Sequence, residues 1–399
     1  MGDIGEPRKP RIAIIGAGLT GLLTAHGLQK NGFEVAVFER DADIDVRSRD
    51  WTILIHWAMP ILARLLPEDV FNNFPKAICN PHLEFNEEVE SLPCFNGLTG
   101  EILFKNATPG ARRITRQGLR KVLAEGFEVR WGKKLDQLSS AEDSIQLKFE
   151  DGETYVADYV VGADGVSSTL RQLLLGPEAA RPALSGFMFA TGVVNYGDAE
   201  KTDFIVKAHP VTAIMMGTEA VGACGVMYVQ DPKDTSTWTT FWVKIWKGTS
   251  VNLQGQEAVR YVRENTSNLC EPFQSAIDWT PEDAQCNIDE MKYWVPVPWD
   301  NHSGRVTLLG DASHPMLPFR GQGLQHALTD ASNYVDVMLQ LRDSPDAGPR
   351  EKVMTAFDAE MVERGVKAVK QSLQEAEYSL DVETVGKMLM VTHGHGRSA

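Results

Sequence analysis

The sequence predicts an α/β fold in which a parallel, dinucleotide-binding sheet is interleaved with a mainly antiparallel β-sheet domain, followed by C-terminal helices. Three observations predict it. A glycine-rich strand-to-helix turn stands near the start of the chain, and an aromatic, alternating block fills its middle. A second glycine-rich approach to a helix, "GRVTLLGDASHPMLPFRGQGLQHALTDA" from Gly304 to Ala331, comes far downstream of the first.

The elements follow in order. "RIAII" at 11–15 is a short apolar run rich in β-branched residues, the pattern of a strand buried on both faces. "GAGLTGLLTAHGLQKNG" reads as turn and helix, with Gly32 as its stop, and "EVAVFER" as the next strand. This is a β-α-β unit with an expected right-handed crossover. "HWAMPILARLLPEDVFNNF" reads as a helix kinked or started near Pro60. Short strands and turns are expected from about residue 83, a helix over 114–126, and two strands around the Asp-Gly turn of "IQLKFEDGETYVADYVV". The block from about 185 to 246 alternates as a half-buried antiparallel sheet does. "AFDAEMVERGVKAVKQSLQEAEYSL" closes the chain as helix.

Gly16, Gly18 and Gly21 satisfy G-x-G-x-x-G directly after a strand and at the start of a helix. The first makes the turn, the second admits a pyrophosphate to the backbone, and the third allows close helix-to-strand packing. Glu39, at the end of the second strand, stands where a carboxylate binds ribose hydroxyls, with Arg40 beside it. This unit by itself serves NAD and FAD equally well.

Composition sets bounds. The chain has 399 residues, enough for one large or two interleaved domains, and 43% hydrophobic with 23% charged residues places it among ordinary globular proteins. A formal charge of −15 disfavours a nucleic-acid partner. No apolar run is long enough to span a membrane, and "MGDIGEPRKP" lacks a secretory h-region, so a cytoplasmic protein without a membrane partner is expected. Five widely spaced cysteines without C-x-x-C suggest buried thiols, neither a disulfide framework nor a zinc site. His393 and His395 on the tail are a weak metal candidate, and no metal is expected.

Three further stretches carry a resemblance. "GADGVSSTLR" (Gly162 to Arg171), "GDASHPMLPFRGQG" (Gly310 to Gly323), and Arg116, Leu119 and Leu123 of "ITRQGLRKVL" arrive in the order seen in FAD-dependent aromatic hydroxylases. The chain resembles these single-component flavoprotein monooxygenases of the para-hydroxybenzoate hydroxylase fold, as a natural-product tailoring member. The resemblance implies a Rossmann-like FAD-binding domain at 1–82, 101–182 and 291–399, and a substrate-binding β-sheet domain at 83–100 and 183–290. It implies FAD contacts from Gly16, Gly18, Leu19, Gly21, Glu39, Arg40, Arg116, Asp164, Asp311, Pro318, Gly321, Gly323 and Leu324, with Asp164 also serving the pyridine nucleotide and Asp311 the ribityl chain. Pro318 fixes its φ, and Gly321 and Gly323 leave the backbone free to approach the flavin ring. The helix starting near Gly323 points its positive end at that ring. The chain departs from the family at Gln325, where Asn is usual, in lacking a glycine after Glu39, and in lacking an arginine near "FATGVV".

The reaction so implied is NAD(P)H reduction of FAD, addition of O₂ at the flavin C4a, and transfer of one oxygen from the hydroperoxide to a bulky aromatic or polycyclic small molecule. A single G-x-G-x-x-G implies that NAD(P)H visits transiently, and argues against enzymes with two Rossmann domains. Arg320, His56 and Tyr228 are the catalytic candidates, with His209 a further group that could orient a phenol. Phe187, Phe189, Met215, Met216, Met227, Tyr228, Phe241 and Trp242 are candidates for the pocket wall. Epoxidation and Baeyer–Villiger insertion remain open on the same motifs. So, less favoured, do a halogenase, whose Trp-x-Trp-x-Ile-Pro signature "WVPVPW" does not match, a reductase and a non-catalytic flavin protein. A monomer or homodimer is expected.

Overall fold

Five strands, all parallel, form the first sheet in the order Val306–Leu308, Tyr159–Gly162, Arg11–Ile15, Glu34–Phe38, Val129–Arg130. The computed structural model describes residues 9–47, 49–141, 143–344 and 348–394. Ile12, Ala13 and Ile14 are fully buried, because helices cover one face and a three-stranded meander (Leu135–Ala141, Ser144–Phe149, Thr154–Ala157) covers the other. The helices Leu19–Lys30 and Gly323–Asp343 pack on the first of these faces, Leu22 and Leu28 meeting Leu328 and Tyr334 in one core. The helix expected to kink or start near Pro60 starts there, at Met59, and ends before Pro67. Pro60 sits in the first turn of Met59–Leu65, where its missing N–H costs nothing. Leu66, the residue before Pro67, is forced to an extended ψ of 145° and ends the helix.

The second sheet has eight strands in the order Leu253–Gln254, Gln285–Tyr293, Ala183–Val194, Thr239–Lys247, Ala220–Tyr228, Thr212–Met216, Ser91–Asn96, Ile102–Ala107. All neighbours are antiparallel except Thr212–Met216 beside Ser91–Asn96. The edge strand Ile102–Ala107, assigned to the dinucleotide half from sequence, belongs to this sheet. A tight turn through Gly97 and Gly100 folds it back on Ser91–Asn96 as a hairpin. The strand Gln285–Tyr293 likewise runs past residue 290.

Because side chains alternate along a strand, the sheet has two distinct faces. Phe189, Ile214, Ala223, Val243 and Ile245 share one by register. On the other, Ala190, Met215, Cys224 and Trp242 pack against Val259, Val262, Phe273 and Ile277 of the covering helices. A two-stranded ribbon, Thr52–Ile55 with Arg112–Thr115, lies among the described elements joining the two halves. All five cysteines are buried and free. Among the described residues no helix is long and apolar enough to cross a membrane. His393 ends the last helix, His395 lies outside the described residues, and no metal-holding cluster occurs among those described.

Gly192 is the tightest point of the outer face. A Cβ there would penetrate the ring of Trp242, whose Nε1–H is tied to Thr280 Oγ1 at 2.8 Å. Gly192→Ala is expected to destabilise the protein by about 1–3 kcal/mol. A lowered urea midpoint with unchanged cofactor content is the readout; an unchanged midpoint would show that the ring can step aside.

Candidate functional site

One cavity of about 670 Å³ runs from the first glycine turn to the inner face of the eight-stranded sheet. At its outer end Gly16 holds φ +107°, with its would-be Cβ against the Ala163 carbonyl, so only glycine fits. Gly18 lines the cavity and precedes the first helix without a side-chain cap, leaving that helix end to a ligand. Gly21 does not line the cavity; it packs on the Gly16 carbonyl, where any side chain would collide.

Glu39 holds the turn as well as facing the cavity. Its Oε2 accepts from the Ala17 N–H at 2.8 Å and its Oε1 from the Asp41 N–H at 3.1 Å. Arg120 completes the clip, donating through Nε to the Ala17 carbonyl at 2.9 Å and lying 3.7 Å from Glu39 and 3.5 Å from Asp41. The sequence reading passed over Arg120, although it follows Arg116 by one helical turn. Arg116 lies over the Trp51 ring at 4.8 Å; burial lowers its pKa, as do Arg120 and Arg47, against the pull of Asp311 and Asp50. Arg40 and Leu19 line the same end.

Asp164 borders the cavity and also caps the helix Thr169–Leu175, its Oδ2 accepting from Thr169 N–H at 2.7 Å and Leu170 N–H at 3.1 Å. Burial raises its pKa against these bonds. Arg171, fully buried, donates to the carbonyls of Ala180, Val166 and Ala312, and so ties the Asp-Gly loop to the Gly-Asp loop. Trp294, from the stretch compared with a halogenase signature, stacks on this guanidinium at 4.7 Å.

At the inner end, Gly310 adopts φ +59° with its Cβ position 2.6 Å from Thr20 Oγ1. Asp311 opens to the cavity although deep in the protein. Burial raises its pKa, with His314, Arg116 and Arg171 opposing. Behind it lies a network no motif announced. Asp330 accepts from the Gly310 N–H at 2.8 Å, contacts His314 Nε2 at 2.7 Å, and pairs with Arg364 at 2.7 Å. Burial would raise the Asp330 carboxyl, but His314 and Arg364 outweigh it and hold it well below the usual carboxylate range.

Pro318, Arg320, Gly321, Gly323 and Leu324 all line the cavity. Gly321 takes the left-handed conformation, φ +60°, and Gly323 opens a 21-residue helix that has no side-chain N-cap. Gln325 is buried away from the cavity. Its Oε1 accepts from the His56 and Ala58 N–H groups at 3.3 Å, and its Nε2 donates to the Leu54 carbonyl at 2.8 Å. His56 lines the cavity, its Nε2 3.4 Å from the Gly321 carbonyl oxygen. Arg320 is buried, with one 3.4 Å contact to Gln371 and no partner for Nε or its second terminal nitrogen; burial lowers its pKa.

Tyr228 is placed elsewhere. It is absent from the lining, and its hydroxyl donates to Asp50 Oδ2 at 2.6 Å. Burial and the Asp50 carboxylate push its pKa up, the wrong direction for a base. His209 caps a loop, its Nδ1 accepting from the Val211 and Thr212 N–H groups at 3.2 Å. Of the proposed wall residues, Phe189 and Met216 line the cavity, whereas Met215 and Trp242 face the outer core. Sequence neighbours such as Met215 and Met216 cannot share a face of one strand. Phe187 packs on Phe319 at 5.7 Å, and Phe241 carries the guanidinium of Arg113 at 4.5 Å. Met227 is buried at a bulge, outside the lining.

Residues 113–342 match the family described as FAD binding domain, and 14–59 match an NAD(P)-binding Rossmann-like domain. The chain belongs to the FAD-binding-domain family. It is 32% identical over 372 residues to FAD-dependent monooxygenase phnB of Penicillium herquei, covering 92% of this chain and 90% of that one. FAD-dependent monooxygenase cctM of Talaromyces islandicus is 32% identical, with 91% of each chain covered. The fold is shared with 2,6-dihydroxypyridine-3-hydroxylase from Arthrobacter nicotinovorans, at TM-score 0.71, 18% identity and 94% coverage of both chains. The protein is an FAD-dependent monooxygenase of the aromatic hydroxylase type. Its site fits that cofactor: two uncapped helix N-termini, an enclosed aspartate open to the cavity, and glycines at the closest approaches.

Asp330→Asn is expected to cost about 3–5 kcal/mol, because Arg364 loses its buried partner and keeps only Glu360, which is half exposed. A carboxyl depressed in the folded state stabilises above the unfolded pKa of about 3.9 and loses that contribution as pH falls towards its folded value. The variant's stability deficit, measured by chemical denaturation, should therefore be full at neutral pH and shrink below about pH 4. A deficit independent of pH would refute the charge argument.

Proposed function

We propose that the protein hydroxylates an aromatic or polycyclic small molecule, with NAD(P)H as a transient reductant and O₂ as the oxygen source. The observation that carries this reading is the continuity of the cavity: the two glycine-rich helix ends and an apolar sheet face border the same space. Gly16, Gly18, Leu19, Glu39 and Arg40 would hold the adenosine end of FAD. Arg116, Asp164 and Asp311 would hold the middle, and Pro318, Gly321, Gly323 and Leu324 the ring end.

Bound FAD supplies the redox chemistry, accepting a hydride and activating O₂. The protein's own residues do the rest. Phe189, Ile214, Val243 and Ile245 present a surface that excludes water and packs flat rings. The helix starting at Gly323 directs its positive end into the cavity, favouring negative charge at the ring end. Arg320 and His56, both on the lining, are the groups placed to meet charge or hold a proton there. The single parallel sheet among the described residues supports a nicotinamide that visits without a domain of its own.

Anaerobic mixing of the yellow protein with NADPH, across phenolic, quinonoid and indolic compounds, tests this reading. A compound that accelerates bleaching and is recovered with one added oxygen atom after aeration is the expected result. No reduction with any compound, or chloride in the product, would overturn it. Asp311→Ala should weaken FAD binding by roughly 1.5–3 kcal/mol, read by flavin released on dialysis.

A further inference from the structure

Arg113 stands on the ribbon Arg112–Thr115, between the flavin half and the eight-stranded sheet. It lines the cavity, as do Thr212, Ala223 and Val243. It is partly buried, and its environment differs from that of the fully buried Arg171 and Arg120. Arg171 spends its donors on four backbone carbonyls, and Arg120 is balanced by Glu39 and Asp41. The Arg113 side chain has one hydrogen bond, from Nε to Thr52 Oγ1 at 2.8 Å, and no carboxylate partner among the described residues. The charged or chargeable groups nearest it are the thiols of Cys79 and Cys224, which burial pushes far up and keeps neutral.

Burial lowers the Arg113 pKa to about 10, which still leaves it a cation at neutral pH. Even partial burial of a charge without a partner is costly, and an anionic ligand would offset that cost. The guanidinium is also held in one plane: Thr52 fixes Nε from one edge, and the Phe241 ring lies 4.5 Å from the central carbon. Its two terminal nitrogens are left as a preset fork, the geometry that takes an oxyanion in two parallel hydrogen bonds.

We propose that Arg113 is the anchor for an oxyanion, carboxylate or phenolate, carried by the aromatic substrate. The assignment rests on the cavity being the substrate site proposed above, and it adds the charge and the orientation of what enters. An anion gripped at the ribbon would lay its ring along the apolar sheet face. A phenol held there would be favoured as its electron-rich anion, which is the form most reactive towards electrophilic oxygen.

The test uses the FAD-loaded full chain and three naphthalene probes: 2-naphthoate, 2-naphthol and methyl 2-naphthoate. Calorimetry is expected to show at least one of the first two binding about 10-fold or more tightly than the ester. Arg113→Met should weaken the anion by about 10- to 100-fold and leave the ester within about twofold, with Arg113→Lys intermediate. Preference for naphthoate identifies a carboxylate anchor; phenolate absorption of bound naphthol at neutral pH identifies a phenol anchor. Thermal unfolding separates function from architecture. Without ligand, Arg113→Met should melt at or above the parent, because it removes a partly buried charge that no carboxylate balances. Equal binding of all three probes, binding of none, or a lower melting point with an unchanged anion-to-ester ratio would overturn the proposal. Loss of flavin or of NADPH-driven reduction in the parent protein would instead strike the hydroxylase reading itself.

Discussion

The buried Asp330 carboxylate is the interaction on which the inner end of the cavity hangs. It reaches the Gly310 N–H from the long helix, twenty residues downstream, and draws His314 and Arg364 into the same contact. Gly310 is the hinge of the Gly-Asp turn, and its left-handed conformation aims Asp311 into the cavity. Fixing the turn to the helix therefore also fixes the distance between Asp311 and the uncapped helix start at Gly323. A cofactor held at both ends needs that distance to be constant, since about an ångström of misplacement can cost orders of magnitude in rate.

The distribution of buried charge then separates scaffold from site. Asp330, Glu39, Arg120 and Arg171 are all buried, and each is matched by donors or acceptors from the protein itself. Their work is to join segments far apart in the chain. Arg320 is buried and Arg113 and Arg116 are partly buried without such matching, and all three border the cavity. A fold that balances those four charges from within and leaves these three cations unbalanced next to one cavity has concentrated its electrostatic cost where a ligand can relieve it.

Much of the outer architecture was legible because local rules governed it. Gly16, Gly21 and Gly321 occupy positions set by backbone conformation or close approach, and a strand-turn-helix pattern announces such positions. The parallel unit from Arg11 to Phe38 followed from its apolar runs. What failed to show were relations between distant residues. Nothing in the spacing links Asp330 to Arg364, Tyr228 to Asp50, or Arg171 to three separate loops, because each depends on how whole elements dock. The pocket wall was half legible for a different reason. Reading aromatic richness without the two-residue period selected Met215 and Trp242, which the pleat turns away from the cavity, along with Met216, which it turns inward. The domain bounds that the resemblance implies cut through the hairpin of Ser91–Asn96 and Ile102–Ala107, a pairing that no motif marks.

The interleaving itself has a mechanical consequence. The chain passes between the two halves several times: before Ser91, after Ala107, before Ala183 and after Tyr293. Such multiple crossings resist a wide hinge opening between the halves. Residues 49–51 add further ties between them. Arg49 pairs with Asp289 and Asp50 accepts from Tyr228, both anchors on the eight-stranded sheet, while Trp51 lines the cavity. The Arg49 and Asp289 side chains are each about a third exposed, and ion pairs open to solvent are worth at most about 1 kcal/mol. Tyr228, which sequence alone suggested as a base, is better understood as a tie between this segment and the eight-stranded sheet, its hydroxyl committed to Asp50. The same carboxylate accepts from the Gln117 N–H at 3.0 Å, so Asp50 joins the sheet to the helix that carries Arg116 and Arg120.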